Sequence, residues 1–177
     1  MPPADPAVAY CLQRIGRDTP GWDTLIVAGT ADTPAPAEDL WAAWADLGRW
    51  PAWSPLHRSV TWTSAGGPAA GASFDQQISL GFPVGTTTEH VTIDLLEPAR
   101  RASWTGSGNG VRSCHLWSFT PRPAGGTHVS NVEVFAGLPV AMLRPLVARR
   151  WNRLFQAAAD GLVLHAAAAR QGPPRSK

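Results

Sequence analysis

Two periods of apolar spacing run along this chain, one near 3.6 residues and one of two. Between Asp5 and Gly16, Val8, Cys11, Leu12 and Ile15 recur at steps of three and four, which predicts a short helix. Asp5 can cap it, Pro6 takes the first helical position and Gly16 can end it. Asp23 to Thr33 reads as a strand centred on Leu25, Ile26 and Val27. Thr33-Pro34-Ala35-Pro36-Ala37-Glu38 is then a helix entry, with proline where a missing N–H costs least. Leu40, Trp41, Trp44 and Leu47 carry that helix to about Asp46, and Gly48 ends it. The stretch Asp46 to Pro55 holds two prolines and two tryptophans, so it is expected to be extended or turned, with at least one ring buried.

From His57 the period drops to two. Val60 and Trp62 alternate with Ser59, Thr61 and Thr63 before the turn at Gly66-Gly67-Pro68. Phe74 and Ile78 mark the inward face of the next strand, and Val91, Ile93 and Leu95 that of the strand ending at Glu97-Pro98. Ala102 and Trp104 mark a short strand closed by Gly106 to Gly110. Val111, His115, Trp117 and Phe119 share one face of the following strand, and Pro121 to Gly126 turns the chain into the last one, Thr127 to Phe135.

The longer period then returns. Leu143, Val147, Trp151, Leu154, Phe155, Ala158, Leu162 and Ala166 lie on one face of a helix between Leu138 and Arg170. Pro145 predicts that its regular part starts there, after a looser turn. One strand, a helical insert, six hairpin-linked strands and a long terminal helix favour an α+β fold. Its seven-stranded antiparallel sheet would curl around that helix. Residues 1–22 then form an arm, 23–170 the domain and 171–177 a disordered tail.

Composition narrows the class. A chain of 177 residues with 44% hydrophobic and 16% charged content suits one folded domain. Its net charge is +2 and Lys177 is its one lysine, with no basic cluster to track phosphates, so nucleic acid is not an expected partner. No apolar run approaches a membrane span and no leader pattern opens the chain, so a cytoplasmic location is expected. Cys11 and Cys114 lack metal or redox spacing and are expected to be reduced thiols. Nine tryptophans against one tyrosine point to a cavity with apolar walls and few polar groups, because tryptophan anchors cores and lines pockets.

Several segments resemble the START-like (SRPBCC) superfamily, in particular its polyketide cyclase/dehydrase group. They are Thr33 to Trp41, Asp46 to Trp53, Gly71-Ala72-Ser73-Phe74, Pro98 to Trp104, Gly126 to Val129 and Glu133 to Gly137. Their order and spacing carry the resemblance, over about Thr24 to Ala169; the arm before Asp23 is outside it. The resemblance implies a helix-grip fold and binding of apolar or polycyclic small molecules. For some members it also implies aldol cyclisation or dehydration.

His115 is the first candidate for chemistry, since its strand face is otherwise apolar and a buried imidazole needs a partner. Glu133 lies across the Pro121–Gly126 hairpin. It points inward if Val129 and Phe135 do, and outward if Val132 and Val134 face the core. Relatives with a similar His and Glu in this strand pair imply the inward facing. Together the two could act as acid and base on a carbonyl, or could orient a ligand. Glu89 shares parity with Val91, at the pocket mouth or in solvent, and His90 points outward. His57, His128 and His165 show no metal spacing, and Ser54, Ser73 and Ser113 have no nucleophile-elbow context. The glycines from Gly106 to Gly110 mark a hairpin and not a dinucleotide site, and no metal or cofactor is expected. Arg149, Arg150 and Arg153 form a solvated helix face.

Three functions follow as expectations for a monomer or homodimer. The first is binding of an apolar small molecule by Trp53, Phe74, Ile78, Trp104, His115, Trp117, Glu133, Trp151 and Phe155. The second is a cyclase or dehydratase acting through His115 and Glu133 in the same pocket. The third is an interaction module using the N-terminal arm.

Overall fold

A computed structural model describes residues 5–171. Gln171 ends the last helix, and the rest of the expected tail lies outside the described residues. The elements are α1 (Pro6–Arg14), β1 (Thr24–Thr33), α2 (Ala37–Ala45), α3 (Trp50–Trp53), β2 (His57–Trp62), β3 (Ser73–Gly81), β4 (Gly85–Glu97), β5 (Arg101–Gly108), β6 (Val111–Pro121), β7 (Thr127–Ala136) and α4 (Leu138–Gln171). The strands form one antiparallel sheet in the order β1-β7-β6-β5-β4-β3-β2. It curves around α4 in the helix-grip arrangement.

Strand alternation sorts residues onto the two faces of this sheet. On β7, Val132, Val134 and Ala136 turn outward, while Val129 packs into the core under α4. The outward residues, with Cys114 and Leu116 of β6, are covered by Ala7, Cys11, Leu12 and Ile15 of the arm. Asp5 caps α1, its Oδ1 accepting from the Ala7 amide at 2.8 Å. The arm's apolar face is therefore spent on its own sheet, which gives the domain three layers.

Here one expectation is corrected. Cys11 and Cys114 are paired in a disulfide and not left as thiols. Their separation of 103 residues gives no local signal, and only the docking of α1 on the back of β6 brings them together.

Two local readings also change. Within Asp46 to Pro55 the chain is helical from Leu47 to Trp53: a 3-10 turn over Leu47–Arg49 leads into α3, whose first turn accommodates Pro51. Both of its rings are buried, and the Trp50 indole N–H donates to the Trp44 carbonyl at 2.6 Å. The last helix is regular from Leu138, with Pro145 inside it. Pro145 is exposed, so the carbonyl that it leaves without an amide can turn to water.

Close approach fixes how α4 lies on the sheet. A Cβ at Gly29 of β1 would collide with the backbone of Phe155, and one at Gly161 of α4 would collide with the Trp53 carbonyl. Asn152 and Gln156 of α4 accept hydrogen bonds from the Ala28 and Thr30 amides, both at 3.1 Å, which occupies part of the β1 edge. The helix is thus seated by backbone contact at two points as well as by its apolar face.

Candidate functional site

A cavity of about 520 Å³ lies between the sheet and α4. Six of the seven strands contribute to it. Leu56 precedes β2 and His57 begins it, and Gln76, Ile78 and Leu80 come from β3. Glu89 and Val91 stand on β4, Trp104 on β5, Ser113 and His115 on β6, Glu133 and Phe135 on β7, and Phe155 on α4.

Of the residues expected to line a pocket, Ile78, Trp104, His115, Glu133 and Phe155 do so. Trp53, Phe74, Trp117 and Trp151 do not; they are buried elsewhere in the core. The reason is aromatic packing. Trp50 touches Trp44, Trp53, Phe74 and Trp104 at ring-centroid distances of 5.5, 5.9, 5.8 and 6.2 Å, and Trp53 meets Trp117 edge-on at 6.0 Å. These rings fill their end of the fold, while Trp151 packs on Phe135 and donates to the Leu80 carbonyl at 3.2 Å. The tryptophan count is thus mainly a property of the solid core, with Trp104 as the tryptophan on the cavity wall. The wall is also more polar than expected.

The centre of that polar wall is the β6–β7 pair. His115 and Glu133 are direct cross-strand partners, so both face the cavity. His115 Nε2 lies 2.6 Å from Asn131 Oδ1, on a side chain with no exposure. The Asn131 amide donates in turn to the Phe155 carbonyl at 3.4 Å, which orients its oxygen towards the imidazole. His115 Nε2 therefore carries the proton, and Nδ1 is left as an acceptor.

Glu133 Oε2 lies 3.3 Å from that Nδ1, with its side chain 14% exposed. Distance alone would allow an ion pair, but burial argues against charging either group. Desolvation lowers the His115 pKa to about 4, partly opposed by the Asn131 hydrogen bond. Burial pushes the Glu133 carboxyl well above its ordinary range, and the nearby Glu89 adds to this against a hydrogen bond from Ser113. The arrangement that satisfies every atom is a neutral carboxylic acid donating to a neutral imidazole. A ligand carbonyl that took the Glu133 proton as a hydrogen bond would free His115 Nδ1 to accept one.

A second polar group faces the first, and sequence reasoning missed it. His57 is buried, with Nδ1 2.7 Å from Ser54 Oγ. Its pKa falls to about 3, through burial first and His115 second, with the nearby Gln76 amide working the other way. Gln76 is 4% exposed and donates from Nε2 to Glu89 Oε2 at 3.0 Å. Its Oε1 has no hydrogen-bond partner, nor has the hydroxyl of Thr87 on the same wall. The signal available in the sequence was parity: Gln76 lies between Phe74 and Ile78 on an inward face. Asn131 stands in the same relation to Val129.

Glu89 is exposed at the cavity rim, and His90 points outward to Asp75, 2.7 Å away. Among the described residues no group of three or more His, Cys, Asp or Glu is arranged to hold a metal ion. No described helix is long and apolar enough to cross a membrane.

Comparison with known proteins gives the same architecture. The aromatase/cyclase Zhui from Streptomyces sp. R1128 aligns with a TM-score of 0.66 at 16% identity, over 84% of this chain and 97% of that one. A norcoclaurine synthase mutant from Thalictrum aligns with a TM-score of 0.62 at 17% identity, over 83% and 96%. The di-domain aromatase/cyclase StfQ of the steffimycin pathway gives a TM-score of 0.62 at 17% identity, over 86% of this chain and 53% of that one. At these identities the likeness is one of fold. No curated protein matches the sequence. A family model described as polyketide cyclase / dehydrase and lipid transport matches residues 24–167, and the chain belongs to that family.

Proposed function

We propose that this protein binds an apolar, polycyclic small molecule in the cavity between the sheet and α4. The observation that supports this most is the cavity itself, about 520 Å³ with Trp104, Phe135 and Phe155 as aromatic walls and a polar cluster opposite. Ligand sites typically span roughly 300–1,000 Å³ and combine apolar walls with a few placed polar groups. The family membership and the aromatase/cyclase neighbours support the same reading.

A second reading is catalysis in the same cavity, as a cyclase or dehydratase. It is favoured by the hydrogen-bonded His115–Glu133 pair, whose opposed pKa shifts set a protonated carboxyl beside an unprotonated imidazole. A cytoplasmic location belongs to the proposal, although the Cys11–Cys114 disulfide argues against a reducing compartment.

One titration series tests both readings. Polycyclic phenols and ketones are titrated by calorimetry and by tryptophan fluorescence, with Trp104 placed to report occupancy. Saturable binding at micromolar concentration is expected, and its absence for every ligand would remove the proposal. Turnover of a poly-β-ketone that disappears in His115→Ala and Glu133→Ala, with binding retained, would establish the enzyme.

A further inference from the structure

Resting on the reading of this cavity as a ligand site, we propose that its ligand is an apolar amine bound as the ammonium, and not a carboxylic acid or phosphate. Charge and hydrogen-bonding sense carry the inference. The lining contains two acidic side chains, Glu89 at the rim and Glu133 held neutral by burial, and neither lysine nor arginine. Arg150 lies against Gly81, outside that lining. An anionic ligand would meet like charge here with no cation to offset it.

The unfilled hydrogen-bonding capacity has the same sense. Gln76 is nine-tenths buried, its Nε2 is engaged by Glu89, and its Oε1, which the His57 imidazole approaches without a well-formed hydrogen bond, keeps acceptor capacity to spare. A buried acceptor left open costs free energy that a ligand donor would recover. Because Gln76 and Glu89 are cross-strand partners, Oε1 and a carboxylate converge on one region of the wall. An ammonium brings several donors and a charge opposite to that of the Glu89 carboxylate. Trp104, Phe135 and Phe155 line the same space, and aromatic rings attract a cation over their faces but not an anion. Glu133, held neutral by burial and by Glu89, would ionise more readily beside such a guest.

Calorimetry with three matched probes tests this: naphthylethylamine, naphthylethanol and naphthylacetic acid, each titrated into the intact protein at neutral pH. The amine is expected to bind about tenfold more tightly than the alcohol, the usual scale of one charge-assisted hydrogen bond, and the acid most weakly. In Glu133→Gln and Glu89→Gln the ratio of amine to alcohol affinity should fall towards one. Alcohol binding that equals or exceeds amine binding would overturn the ammonium while leaving the ligand site intact. Tightest binding by the acid would do so more strongly, and binding by none of the three would remove the ligand site as well. An amine preference that survives both substitutions would assign it to some other part of the protein and overturn the proposal.

Discussion

The two ends of the space under α4 are built on opposite principles. At one end Trp44, Trp50, Trp53 and Trp117 pack with Phe74 and Phe119 in one buried aromatic cluster. At the other, His57, Gln76, Glu89, His115 and Glu133 surround an open volume. Flat rings can be packed to crystal-like density because each gains contacts on every side. Buried polar groups resist such filling, since each must keep a partner or a path to water. The difference separates a packed end, which holds the fold together, from an open end, which the proposed ligand would occupy.

The sharpest way to break this division is at its solid end. Trp50 is fully buried and hydrogen-bonded, so Trp50→Ala should cost about 3–5 kcal/mol in chemical denaturation. A loss under about 1 kcal/mol would mean that the aromatic cluster is not the structural anchor described.

Acid probes the polar end. The pKa values of His57 and His115 fall to about 3 and about 4 in the folded state, from an ordinary 6.5. The folded protein therefore binds fewer protons than the unfolded chain. The histidine contribution is complete above about pH 6.5 and is lost as pH falls through 4 towards 3. Glu133 has the opposite sign, contributing fully below its ordinary 4.5 and less as pH rises through its elevated value. Urea midpoints measured from pH 7 downward should decline in the wild type and decline less in His57→Asn. Parallel curves would show that His57 is not held neutral by burial.

The smallest effect on stability is expected at Glu133. Glu133→Met removes the carboxyl's desolvation cost but leaves His115 Nδ1 without its donor, and because the two oppose each other stability should change by less than about 1 kcal/mol, in either direction. Ligand affinity should nevertheless fall, since the neutral acid opposite His115 is gone. A large destabilisation with unchanged binding would reverse the roles assigned to the two ends.

Much of the fold could be read from local pattern. Alternation at Val111, His115, Trp117 and Phe119 placed β6, and the steps from Val147 to Ala166 placed α4. Helix period and strand period are set by near neighbours, so a single sequence expresses them directly. The site was legible in part, for the same reason. His115 and Glu133 could be paired because a short hairpin joins their strands.

What pattern could not reach was volume and long-range approach. Trp53 and Trp117 look like pocket walls from hydrophobicity alone, but whether rings enclose space or fill it depends on residues far away in the chain. Gln76 and His57, on β3 and β2, become part of the site only because the sheet curves enough to face them towards β6. The pairing of Cys11 with Cys114 was hidden by distance in the same way.

That disulfide has a consequence on the side of the sheet that it does not touch. Cys114 and His115 are adjacent in β6 and point to opposite faces, one towards the arm and the other towards the cavity. A pleated strand is a two-sided ribbon, and whatever pins one face limits travel on the other. The arm thus backs the strand that carries the imidazole, from the face of the sheet opposite the cavity.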